Sequence, residues 1–207
     1  MREWDVESAR LAARAVAAGR PTGWFEELYA AGAREEITMP WDRPYPSPLL
    51  VDWLSDGEGR SAVVVGCGLG ADAEFVAAHG FATTAFDISA TAVRTARQRY
   101  PASPVDYRVA DLFALPQRWA FDLVVEIINL QALPVSLRAE AVAAVAGLVA
   151  PGGTLLVVEN VRTRLLSERP PWAFTRAEIL SFADHGLATV AVERPGDGAR
   201  WRAELSR

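Results

Sequence analysis

The stretch Ser61-Ala-Val-Val-Val-Gly-Cys-Gly-Leu-Gly-Ala-Asp72 runs from continuously apolar residues into three glycines spaced by two. An apolar run without polar alternation is the mark of a strand buried on both faces of a parallel sheet. Gly66, Gly68 and Gly70 let the backbone turn sharply and leave no side chain between it and a bound ligand. A helix is expected next, from Ala71 to His79. Downstream the same alternation continues, with a strand from Ala82 to Phe86 and a helix opened by Ser89 and running to Tyr100. Further strands are expected at Val105 to Val109, Phe121 to Glu126 and Gly153 to Val158, the last preceded by an Ala/Val-rich helix from Ser136 to Val149 and turned by Pro151-Gly-Gly153. Strands alternating with helices imply a parallel sheet covered on both faces. Then the pattern changes. Thr175-Arg-Ala-Glu178 is a capping box that starts a helix ending near His185-Gly186. The runs Leu187 to Glu193 and Arg200 to Leu205 are joined by Arg194 to Ala199, too short for a helical crossover, so they form an antiparallel hairpin at the sheet edge.

Upstream of the glycines, residues 5 to 18 read as a helix with Val6, Leu11, Ala15 and Val16 on one side, stopped by Gly19-Arg20-Pro21. A shorter helix is expected from Trp24 to Ala31. The proline-rich segment Met39 to Pro48 cannot be regular helix, and Ser47 caps a helix with Pro48 in first position and Leu49, Leu50, Trp53 and Leu54 inward. Residues 1–60 thus read as a helical lid with one stiff loop, and 61–207 as a sheet. The 207 residues suit one domain with a full core. All 21 basic residues are arginine and the net charge is −5, so nucleic acid is a poor partner. One cysteine excludes an internal disulfide framework and a Cys-based metal site, and no metal is expected. No apolar run reaches the roughly 18 residues that span a bilayer, and the charged N-terminus lacks a signal core; a cytoplasmic protein is expected, as monomer or homodimer.

The glycine loop suits a nucleotide-like cofactor; alone it also fits a tight turn without ligand, or a loose dinucleotide fingerprint. Twenty-one residues beyond Gly66, Asp87 directly follows the second strand, where a carboxylate can accept hydrogen bonds from both hydroxyls of an adenosine ribose. Its other role, capping the next helix, is already filled by Ser89. Asp111 repeats the arrangement after the third strand and can bond an exocyclic amino group, with Ile88 and Leu112 sandwiching the purine; capping a loop is its alternative. Glu126 ends the fourth strand and is expected to face the same crevice.

These residues resemble class I S-adenosylmethionine-dependent methyltransferases over roughly residues 24 to 205. Gly66-Cys-Gly-Leu-Gly70 is similar to the family's first motif, Asp87 to its ribose acid, Asp111 to its adenine contact and Val149-Ala-Pro-Gly-Gly-Thr-Leu155 to its turn before the fifth strand. The resemblance implies a Rossmann-like, doubly wound, seven-stranded α/β sheet, mostly parallel with an antiparallel C-terminal hairpin. It implies S-adenosyl-L-methionine as cofactor, S-adenosyl-L-homocysteine as product, and a small-molecule acceptor methylated at S, N or O. Softer segments are similar to the thiopurine and thiol methyltransferase-like branch: Trp24-Phe-Glu-Glu-Leu-Tyr29, Pro40-Trp-Asp42, Gln131-Ala-Leu-Pro134 with Arg138, Pro170-Pro-Trp172 and Arg200-Trp-Arg-Ala-Glu204. On that likeness Trp24 and Trp41 cover the cofactor's methionine end and the 160–174 loop closes over an aromatic or heterocyclic acceptor. Glu126-Ile-Ile-Asn129 departs from the branch, which has an Asp-containing segment there.

Cys67 completes the cofactor set with Gly66, Gly68, Gly70, Asp87, Ile88, Asp111, Leu112, Trp24 and Trp41, as a small buried filler. Glu126 is the candidate catalytic proton acceptor and a further cofactor contact; Tyr45, Asn129, Gln131 and Trp172 are candidate acceptor contacts. His79 and His185 each precede a glycine at a helix end and are read as caps, Arg162 and Arg164 as solvated charges. Two other readings remain: an NAD(P)-dependent oxidoreductase, from the loose fingerprint and Asp87, and a cofactor-binding partner subunit without chemistry.

Overall fold

The computed structural model describes residues 3–39, 41–163 and 170–207. Expectations for Pro40 and Arg164, and for the 164–169 part of the loop, fall outside them. Two helices lead, α1 (Glu3–Ala17) and α2 (Trp24–Ala33), then the short α3 (Pro48–Val51). The alternating part is β1 (Ser61–Val65), α4 (Ala71–Ala78), β2 (Ala82–Asp87), α5 (Ala90–Arg99), β3 (Asp106–Val109), β4 (Phe121–Ile127), α6 (Arg138–Gly147) and β5 (Val149–Asn160). It closes with α7 (Arg176–Leu180), β6 (Ala188–Glu193) and β7 (Arg200–Ser206). The seven strands lie in the order β3-β2-β1-β4-β5-β7-β6. Six strands, β1 to β6, run in one direction; β7 lies antiparallel between β5 and β6. The strand order reverses at β1, between β2 and β4, and there the carboxyl ends open a crevice.

Successive side chains of the central strands go to opposite faces, which is why their sequences are apolar without interruption. Val63, Val65, Val124, Leu155 and Val157 pack with α6, Ile179, Phe182 and Trp201 on one face. Ala62, Val64, Leu123, Val125, Leu156 and Val158 pack with α4, α5 and Leu50 on the other. Each such valine or leucine contributes about 1.5–3 kcal/mol on full burial. Leu11, Ala15, Trp24, Leu28, Tyr29 and Met39 form a third cluster that reaches Ala92 of α5. A polar latch fixes this layer. Glu26 on α2 accepts hydrogen bonds from the Ser89 hydroxyl (2.6 Å), the Thr91 amide (3.1 Å) and the Thr91 hydroxyl (2.6 Å).

The expected caps hold at Ser89, whose hydroxyl accepts from the Ala92 amide, and at Thr175, where the capping box with Glu178 is complete. At Ser47 the expectation fails. Its side chain makes no cap hydrogen bond, and its amide donates to Asp72 Oδ1 at 2.6 Å, so Asp72 takes the segment and α3 is only one turn. The fifth strand starts earlier than expected. Pairing passes from Phe121–Val149 to Leu123–Thr154, so Ala150 to Gly153 bulge within β5 instead of preceding it.

Candidate active site

A cavity of about 420 Å³ lies over the carboxyl ends of the strands, beneath α2 and the Trp41–Arg43 segment. That is within the usual range for small-molecule sites. The glycine loop forms its floor. Gly66, Gly68 and Gly70 have φ of +55°, +52° and +96°, which side-chain-bearing residues rarely adopt. Space also demands glycine, on the protein side. A Cβ on Gly66 would overlap the Asn129 carboxamide, one on Gly68 would lie 2.8 Å from the Tyr29 hydroxyl, and one on Gly70 would overlap the Tyr107 hydroxyl. The glycines therefore admit three protein side chains as well as a ligand. Cys67 fills a buried position, its amide bonded to the Phe86 carbonyl at 2.8 Å; burial pushes its thiol pKa well up.

Asp87 lines the cavity with 6% of its surface exposed. Its Oδ2 accepts from the Gly68 amide at 3.0 Å and its Oδ1 from the Ser89 amide at 2.9 Å, tying the glycine loop to the start of α5. Burial pushes its pKa up to about 6 in spite of these bonds. Each oxygen retains acceptor capacity for a further donor. Asp111 also lines the cavity and caps the 3-10 turn Leu112–Ala114 through the Phe113 amide, 2.9 Å away, so both of its expected roles are sterically open. Ile88 and Leu112 line the wall between the two acids.

Trp24, Phe25, Tyr29 and Trp41 form an aromatic wall opposite. Trp24 stacks on Phe25 at 4.3 Å, and Trp41 meets Trp24 and Tyr29 edge-on at 6.3 and 6.1 Å. The Trp24 indole Nε1 is buried with no hydrogen-bond partner among the described residues. Phe25, Tyr29 and Arg43 were not among the expected site residues. Tyr29 is one helical turn beyond Phe25 and shares its face, the spacing that could have identified it.

At the end of β4 the outcome is mixed. Asn129 and Gln131 both line the cavity; Asn129 donates to the Val65 carbonyl, and Gln131 Oε1 accepts from the Asn160 amide at 3.2 Å. Glu126 does not reach it. Strand alternation turns its fully buried side chain toward α6, under the 129–131 turn, so the expected proton acceptor and cofactor contact is a structural carboxyl. Tyr45 is 58% exposed and outside the cavity, in a surface bend between Pro44 and Pro46. Trp172 is buried away from the cavity, held by its amide on the Gln131 carbonyl; Pro170 and Pro171 line the wall in its place. Arg162 is not solvated, since it pairs with Glu178 at 2.8 Å, which also holds Arg138 at 2.9 Å. His79 bonds back to the Phe75 carbonyl at 2.8 Å at the end of α4, remote from the crevice.

Residues 62–153 match the family described as methyltransferase domain. No curated protein sequence matches the chain. Many solved structures share its fold, three of them as follows. One, described by the conversion of a disulfide bond into a thioacetal group during echinomycin biosynthesis, has a TM-score of 0.71 at 21% identity, over 88% of this chain and 92% of that one. The N-methyltransferase NodS from Bradyrhizobium japonicum WM9, in complex with S-adenosyl-L-homocysteine, has a TM-score of 0.65 at 20% identity, over 87% and 98%. The [4+2]-cyclase SpnF has a TM-score of 0.65 at 19% identity, over 77% and 78%. At such identities the likeness is one of fold. Sheet order and hairpin are those of the Rossmann-like methyltransferase fold, and residues 62–153 carry the match to a methyltransferase domain. The cofactor implied for such a domain is S-adenosyl-L-methionine.

Proposed function

We propose that the protein methylates a small aromatic or heterocyclic molecule, with S-adenosylmethionine bound by Gly66–Gly70, Asp87, Ile88, Asp111 and Leu112. One observation carries the reading: the cavity extends over the ends of six adjacent strands, from Asp111 after β3 through Asp87, Gly66, Ile127 and Asn160 to Arg200 on β7. At about 4.8 Å between strands that is roughly 24 Å, room for a nucleoside on the β3–β1 side and an acceptor on the β4–β7 side. The cavity fits the cofactor. Asp87 has acceptor capacity for ribose hydroxyls, and the unpartnered Trp24 Nε1 awaits an acceptor from a ligand. When bound, S-adenosylmethionine supplies a methyl on a cationic sulfur for direct displacement and leaves as S-adenosylhomocysteine.

The chain's own residues position and enclose. Trp24, Phe25 and Trp41 offer aromatic faces that favour a neighbouring cation and, with residues 1–60 as the cover, exclude water. This aromatic cover supports the likeness to the thiopurine and thiol methyltransferase-like branch. Asn129 and Gln131 orient the acceptor. The cavity's only carboxylates among the described residues are Asp72, Asp87 and Asp111, and no histidine lines it. Asp72 is occupied by Ser47 and Arg43. That favours acceptors nucleophilic without a base, a thiolate or ring nitrogen, over neutral hydroxyls. Calorimetric titration tests the reading: saturable binding of both S-adenosylmethionine and S-adenosylhomocysteine is expected, and binding of neither overturns it. With aromatic thiols, azoles and phenols as acceptors, S-adenosylhomocysteine release is expected with the first two; release with none of them rejects the acceptor class.

A further inference from the structure

Glu126 and Glu159 stand at the ends of the neighbouring strands β4 and β5, on the face covered by α6, and both are fully buried. Glu126 Oε1 accepts from the amides of Asn129 (3.0 Å) and Leu130 (3.1 Å), and Glu159 Oε1 from the amide of Gln131 (3.0 Å). Three consecutive amides of one turn thus end on two carboxyls. The turn needs holding, because Ile128 has φ +57°, a left-handed conformation that β-branched residues avoid. It matters to the cavity, since it places Asn129 against Gly66 and Gln131 against Asn160.

The outer oxygens, Oε2 of both residues, are buried without a hydrogen-bond partner among the described residues. The charged group facing the pair is Arg138 from α6, itself engaged by Glu178, which also binds Arg162. One shared cation does not neutralise two desolvated carboxylates. Burial raises the pKa of both, and the facing Glu126 raises that of Glu159 further.

We propose that Glu126 and Glu159 hold one proton between their outer oxygens, and that this shared proton pins the 128–131 turn, making the two carboxyls positioning residues for the methyl-transfer cavity. When the proton leaves to solvent, two buried negative charges repel and the turn loosens, taking Asn129 and Gln131 with it. The link to methyl transfer rests on the function proposed above; the shared proton does not.

The test compares wild type with Glu159→Gln, Glu126→Gln and Glu159→Ala. Either glutamine keeps an oxygen for the turn amides and offers an amide hydrogen that cannot ionise. S-adenosylhomocysteine affinity of the wild type is expected to fall at alkaline pH, approaching about tenfold per pH unit, the limit for one linked proton. Glu159→Ala should lose affinity at all pH values, and Glu159→Gln should restore it without the alkaline fall. A wild-type profile that stays flat, or one that falls equally in both glutamine variants, overturns the proposal. Infrared spectroscopy and melting curves need no ligand. A protonated-carboxyl band at neutral pH is expected to be larger in the wild type than in both glutamine variants, where Asp87 still contributes a small part; a wild-type band no larger than theirs rejects the shared proton even if S-adenosylhomocysteine fails to bind. Such a failure to bind, with the larger wild-type band present, rejects the proposed function alone.

Discussion

Asp87 carries its carboxyl almost out of water while two backbone amides, of Gly68 and Ser89, point at it. Its pKa of about 6 shows that desolvation outweighs those bonds. With the folded value above the ordinary 3.8, its contribution to stability is full below about 3.8 and lost as pH rises through about 6. Melting temperatures of wild type and Asp87→Asn measured from pH 4 to 7 should therefore converge or cross in favour of the variant as pH rises. Ligand binding moves the other way: Asp87→Asn should weaken S-adenosylhomocysteine by about 1–3 kcal/mol in calorimetry, since an amide cannot accept from two ribose hydroxyls while serving Gly68 and Ser89. Gly66→Ala meets both a positive φ and the Asn129 carboxamide, so it should destabilise by about 1–3 kcal/mol in thermal unfolding and abolish ligand binding. That Gly66, Asp87 and Asp111 border the cavity was legible in the sequence because the chain's turn at a strand end fixes where they go. The placing of Glu126, Tyr45 and Trp172 was not. Being near the crevice in sequence places their backbone, whereas strand alternation and packing decide which way the side chain turns.

Among elements, α2 depends on the core through Glu26. Desolvation pushes the Glu26 pKa up, but the hydrogen bonds from Ser89 and Thr91 together hold it below its ordinary value. The sign is opposite to that of Asp87: the latch contributes above the ordinary carboxylate range and is lost as pH falls below it. Glu26→Ala should cost about 1.5–3 kcal/mol and raise hydrogen exchange in α2 while leaving β1 and β4 protected. Thr175→Ala should cost about 1 kcal/mol in thermal unfolding by removing the capping box of α7. Local caps of this kind, Ser89 and Thr175, can be read from sequence because cap and amide lie three residues apart. The Ser47 amide is taken by Asp72, 25 residues away, and the Ala150–Gly153 bulge depends on β4, so neither could be read locally.

For the whole molecule, the alternation of apolar runs with helices gave the sheet its parallel part, and the short Arg194–Ala199 connection gave the antiparallel hairpin. Tertiary events that join distant segments stayed hidden, among them the Tyr29 hydroxyl over Gly68 and the Glu178 carboxylate between Arg138 and Arg162. Among the described residues no helix is long and apolar enough to cross a membrane. The cover and the sheet enclose one cavity between them, so ligand and cover should stabilise each other. S-adenosylhomocysteine at about 100 times its wild-type Kd should add about 2.7 kcal/mol to unfolding, and less in Glu26→Ala at that same concentration, by melting curves. The most direct measurement is a crystal structure of the S-adenosylhomocysteine complex. The ribose hydroxyls are expected on Asp87, the adenine between Ile88 and Leu112 beside Asp111, and the sulfur beneath Trp24 and Trp41 facing Asn129 and Gln131. A ligand bound outside this cavity, or with its ribose away from Asp87, would contradict the account.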